Sequence, residues 1–79
     1  MNFELSAHAS EMMEERGIRQ DWVDDALINP DRTAEGNDRN IHYFKSIPEF
    51  GNRVLHIIVN QDFFSNKVIT LFFDRRVRK

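Results

Sequence analysis

The chain carries three histidines, His8, His42 and His56, and no cysteine. Acid–base chemistry near neutral pH therefore falls to imidazole, while disulfides, thiolate nucleophiles and Cys-ligated zinc are excluded. His8 follows a helix-start signal, where the positive end of a helix dipole disfavours imidazolium, so a neutral ring there suits a general base or a hydrogen-bond donor to substrate. It also borders an apolar stripe, and a satisfied core histidine fits the same pattern. Arg16, eight positions on, falls at the end of that helix, suited either to pairing with a carboxylate while its stem packs or to clamping a phosphate. His42 and His56 lie on neighbouring strands. No third ligand stands at metal-ligand spacing, so neither a metal site nor any other cofactor is expected. The run Asp74-Arg75-Arg76-Val77-Arg78-Lys79 suits phosphate contact by counterion release, and equally a solubilising tail. Tyr43, Phe63-Phe64 and Phe72-Phe73 can stack on bases or fill a core. There is no Gly-rich phosphate loop, nucleophile elbow or metalloprotease motif.

The elements that position these residues follow from periodicity. Leu5-Ser6 begins the first element, with Ser6 as N-cap, a helix to about Arg16, and Gly17 as a left-handed C-cap. Leu5, Ala9, Met12 and Met13 form its buried stripe; Arg16 shares that azimuth and His8 lies at its margin, so both are expected to lean toward the core. A second helix from about Gln20 to Ile28 buries Val23, Ala26 and Leu27, and Asn29-Pro30 ends it. From Arg32 the period becomes extended: strands over Thr33–Gly36, Arg39–Ile47, Arg53–Asn60 and Lys67–Asp74 are separated by Asn37-Asp38, Pro48–Asn52 and Gln61–Asn66. Leu55, Ile57 and Val59 form one core set and Ile69, Leu71 and Phe73 another. The opposite face, carrying His56, is open, with His42 or Phe44 beside it on one strand and Thr70 or Phe72 on the other.

The expected fold is α+β: two N-terminal helices packed on one face of an antiparallel sheet of three to four strands, in the order α-α-β-β-β-β. One domain spans residues 1–79, with the helical part over about 5–29, the sheet over about 32–74 and a basic tail at 75–79. Such a short chain buries only about 60% of its unfolded surface, so a partner or homodimer is plausible. The net charge of −2 conceals a division, because residues 1–38 hold ten acids against three bases and residues 39–79 three acids against eight bases. An acidic helical side could complement a basic sheet edge, or the basic half could face a polyanion. The longest apolar runs are far below a membrane span and the first residues have no export signature, so a cytoplasmic location without membrane contact is expected.

The run Leu5-Ser6-Ala7-His8-Ala9, then Met12 or Met13, Glu15-Arg16-Gly17-Ile18, Val23, Ala26-Leu27 and Pro30, resembles the family called domain of unknown function 4258. The Tyr43 strand, Val54 to Val59 and Val68 to Phe72 extend the likeness over about residues 5–73. That family is similar in layout to small toxins of the RelE and BrnT kind. The resemblance implies an α+β domain, a metal-independent ribonuclease or toxin-like relative, and His8 and Arg16 as signature positions, joined by Tyr43 and Thr70. The leading expectation is an endoribonuclease of toxin–antitoxin type, attacking phosphate with the 2′-hydroxyl. In it, His8 or His56 transfers protons, Arg16 and Arg53 meet phosphate charge, Tyr43 orients, and Thr70, Arg75 and Arg76 bind substrate. Its partners would be RNA and an antitoxin protein. The rival expectation is a non-catalytic interaction domain that uses the exposed sheet face.

Overall fold

Ser6 opens the first helix and also reaches across to the far end of the chain. In the computed structural model, which describes residues 3–36, 40–61 and 66–75, its Oγ accepts the Ala9 backbone N–H at 3.0 Å. Helix α1 then runs over Ala7–Arg16 until Gly17, at φ 64°, turns left-handed and lets the Ile18 N–H return to the Met13 carbonyl at 2.9 Å. This satisfies a carbonyl that the helix end would leave open. Helix α2 covers Gln20–Ile28. Lys45 caps its far end, donating to the Asn29 carbonyl at 2.9 Å where the dipole favours a cation.

Five strands follow the chain as β1 (Glu4–Leu5), β2 (Arg32–Glu35), β3 (Asn40–Ile47), β4 (Arg53–Asn60) and β5 (Lys67–Asp74), with a short 3-10 turn at Pro48–Phe50. They form one sheet in the order β1-β5-β4-β3-β2. All neighbours are antiparallel except β1, which lies parallel to β5. Both helices cover one face, where Ala9, Val23, Ala26 and Leu27 meet Ile47, Leu55, Ile57, Val59, Val68 and Leu71. The structure is thus α+β with its helices N-terminal. Among the described residues no helix is long and apolar enough to cross a membrane.

Three local expectations change. Leu5 is not part of the first helix; it sits in the two-residue strand β1, and Phe3 and Leu5 both pack on the core, an inward alternation too short to announce a strand. The sheet consequently has five strands and is mixed. Ile69 is not the core residue at its end of β5. A bulge sets Val59 opposite Val68 but Ile58 opposite Thr70, so Ile69 is the extra residue and Val68 takes the fully buried place. Ser6 secures this irregularity, because its N–H donates to the Val68 carbonyl at 2.9 Å and its hydroxyl to the Ile69 carbonyl at 3.2 Å. Third, α1 does not turn Arg16 and His8 toward the core. Ala9 is buried, Met13 half-buried, and Arg16 and His8 exposed. The stripe fades along the helix, and a guanidinium stays hydrated at lower cost than it could be buried without a partner. The turn expected at Asn37-Asp38, Phe63-Phe64 and Arg76 lie outside the described residues.

Ser6 therefore holds a helix cap and a bulge carbonyl with one hydroxyl. Replacing it with Ala should lower the unfolding free energy by about 1–2 kcal/mol, read as a lower urea midpoint at unchanged slope.

Candidate functional site

Strand parity sends Tyr43, Lys45 and Ile47 of β3 toward the helices and leaves His42, Phe44 and Ser46 on the opposite face. The register of the neighbours then builds a row across four strands. Arg32 opposes Phe44, Phe44 opposes His56 and His56 opposes Phe72. The row is in contact throughout: the Arg32 guanidinium carbon lies 4.0 Å from the Phe44 ring centroid, Phe44 lies 4.3 Å from His56 and His56 lies 4.8 Å from Phe72. A parallel row holds Ala34, His42, Ile58 and Thr70.

A polar diagonal crosses the first row at His56. Its Nδ1 lies 3.0 Å from Asp74 Oδ2 and its Nε2 lies 2.7 Å from His42 Nδ1. His56 and Asp74 keep only 9% and 8% of their surface, so these contacts form in a shielded setting where hydrogen bonds carry more weight. A carboxylate only accepts, so His56 Nδ1 carries the proton. In the neutral ring Nε2 must then accept, which makes His42 Nδ1 the donor and fixes Nε2 as the basic nitrogen of His42. The three groups are strung in a line, with His56 bridging Asp74 and His42. Among the described residues no group of three His, Asp or Glu side chains is arranged to hold a metal ion.

The proton affinity of His56 reflects this setting. Burial between the rings lowers its pKa from the ordinary 6.5, and the nearby His42 and Arg32 push the same way. The hydrogen bond to Asp74 and its charge oppose them without prevailing. His56 is accordingly neutral at pH 7, the state that the tautomer assignment requires.

A family described as Domain of unknown function (DUF4258) matches residues 5–73. The chain belongs to this family. No curated protein and no solved structure matches it. Within this DUF4258 domain the expected site residues divide. His56 and Thr70 share the face away from the helices, which is less open than expected, since Phe44, Val54, His56 and Asp74 on it are buried. Tyr43 does not join them, because it lies on the helix side, edge-on to Phe3 at 6.0 Å and 88°. His8 and Arg16 are exposed on α1, a helix packed against the other face, so the sheet separates them from His56. Arg53 is exposed, its guanidinium 4.9 Å from the Phe50 ring, and Arg75 is exposed just beyond β5.

Two members of the face escape a reading by residue type. Asp74 looks like the start of a basic tail, and Arg32 like a linker before a strand. Parity exposes both, since Phe72 and Asp74 alternate with the core residues Leu71 and Phe73, and Arg32 pairs with Phe44.

Because His56 has a lower pKa folded than unfolded, the unfolded chain binds the proton more readily between the two values. The stability gained from a neutral His56 is complete above pH 6.5 and is lost as pH falls from there toward the folded value. An NMR titration of the imidazole should place its midpoint below 6.5. Asp74→Asn should lower it further, because the carboxylate is the group holding it up; a midpoint at or above the ordinary value in the parent would contradict a buried neutral ring.

Proposed function

We propose that this DUF4258 domain is a metal-independent endoribonuclease, of the kind that acts as the toxin of a toxin–antitoxin pair, with the Asp74–His56–His42 chain as its proton-transfer site. The observation that carries this reading is the chain itself. A carboxylate orients one imidazole, that imidazole orients a second, and the second ends in a nitrogen whose task is to accept. The same logic underlies nucleophile activation wherever a base is itself held by a third group.

In the proposed reaction His42 Nε2 takes the proton of an RNA 2′-hydroxyl. The 2′-oxygen forms a bond to the adjacent phosphorus as the bond from phosphorus to the 5′-oxygen breaks. The leaving oxygen gains a proton from water, and His42 returns its own proton to solvent, so a 2′,3′-cyclic phosphate and a 5′-hydroxyl result. Asp74 stays ionised and steadies the positive charge that the two rings share while His42 is protonated. His42 is half-buried and its Nε2 is shielded from water, so contact with the hydroxyl involves local opening of the face. Charge distribution supports an RNA substrate. The exposed acids of α1, Glu11, Glu14 and Glu15, belong to a helix packed against the other side of the sheet, so a polyanion approaching His42 does not meet them head-on.

Purified protein should cleave single-stranded RNA, and His42→Ala should reduce the rate by about 10²–10⁴-fold with the far-UV spectrum unchanged. His8→Ala should leave cleavage intact. Intact RNA with the folded parent protein would reject the catalytic reading in favour of a binding face. The edge strand β2, with all four residues exposed, gives that rival its own footing, since an unpaired strand edge can accept a partner strand.

A further inference from the structure

The stacked row begins at the sheet edge with a cation. Arg32 is exposed, yet its guanidinium is not loose, because it rests 4.0 Å from the Phe44 centroid and β2 is anchored to β3 along its length. Among the described residues no carboxylate pairs with Arg32 and no acceptor takes a hydrogen bond from it. Arg19 shows the contrast: it is engaged by Asp21 through two bonds of 3.0 and 3.1 Å. The acid of the site, Asp74, is committed to His56 at 3.0 Å, and Asp31, next to Arg32 in sequence, to Lys45 at 3.6 Å and to the Ser46 N–H at 2.8 Å. A fixed guanidinium whose donors are unspent presents a geometrically defined cation at the edge of the row.

Its position relative to the basic nitrogen matters as much as its charge. Arg32 opposes Phe44 and His42 opposes Ala34, so Arg32 and His42 are diagonal neighbours on the same face, roughly 7–8 Å apart at the backbone and within reach of a long side chain. The planar fork of a guanidinium matches two non-bridging oxygens of a phosphate. Arg32 also contributes to the lowered basicity of His56, which places its charge within electrostatic reach of the chain.

We propose that Arg32 is the anion-binding residue of this face and holds an RNA phosphodiester against His42, an assignment that rests on the ribonuclease reading for its substrate class. The phosphate lies on the guanidinium fork, and the adjoining ribose presents its 2′-hydroxyl to the imidazole. The neighbouring Phe44 ring takes no charge itself and serves to keep the fork in place.

The test uses the full chain with two probes of the same sequence, an RNA oligonucleotide and its 2′-O-methyl counterpart, which has no hydroxyl to activate. Arg32→Gln should weaken binding of the 2′-O-methyl probe by about tenfold and reduce the salt dependence of binding by about one counterion. Arg32→Lys should keep that salt dependence but not the full affinity. With RNA, Arg32→Gln should raise KM while the His42 variant lowers kcat. If the parent cleaves RNA and Arg32→Gln matches it in affinity and KM, the assignment of Arg32 is overturned and the catalytic reading stands. If the parent binds the 2′-O-methyl probe through Arg32 and cleaves nothing, the anion site stands and catalysis falls. If the parent neither binds nor cleaves, both fall.

Discussion

A strand shows its side chains to two faces in strict alternation, and β5 can serve both the core and the open face only because that alternation is broken once. Val68, Leu71 and Phe73 all belong with the core, although the first and the other two differ in parity. The bulge at Ile69 absorbs the mismatch. Beyond it, Thr70, Phe72 and Asp74 fall in step with Ile58, His56 and Val54. Without the extra residue, either Val68 would leave the core or Asp74 would turn into it. The helix cap at Ser6 and the carboxylate at Asp74 are thereby parts of one arrangement, linked through the phase of a single strand.

The buried polar chain depends on that phase and on its apolar neighbours together. Phe44 and Phe72 flank His56 and withdraw it from water, which alone would favour a neutral ring with no preferred tautomer. Asp74 supplies the preference and His42 completes the bonding. Removing a partner from such a chain leaves a buried polar atom, so each member is costlier to lose than to keep. A stabilising network and a proton-transfer chain have the same geometry at rest. What distinguishes them is whether the outer end meets a substrate.

Much of this was legible in the residues. Gly17 and the Asn29-Pro30 pair marked the helix ends, and alternating apolar residues marked β3, β4 and β5 close to their observed limits. That His42 and His56 share the face away from the helices followed from parity, but not that His56 is buried there. The register did not, because a loop such as Pro48–Asn52 permits more than one pairing; the structure sets Phe44 opposite His56 and brings His42 in along the diagonal. Strand β1 was hidden because two residues carry no period. The bulge was hidden because its stabilising partner, Ser6, stands 63 positions away. His8 and Arg16 lay on the azimuths that the helical wheel assigns, but a wheel does not say how far the sheet beneath extends, and both reach solvent. Asp74 was masked by the bases that follow it.

The pairing of β1 with β5 gives the order of synthesis a meaning. During translation the helices emerge first, with Val23, Ala26 and Leu27 facing water until the strands that cover them arrive. The ladder that fixes Leu5 and Ser6 has to wait for Val68 and Ile69, and the polar diagonal has to wait for Asp74. Contacts of such long range form late and slowly. A chain interrupted upstream of β5 would hold both imidazoles and neither the carboxylate nor the strand that positions it, so the polar chain cannot assemble until the last strand is made.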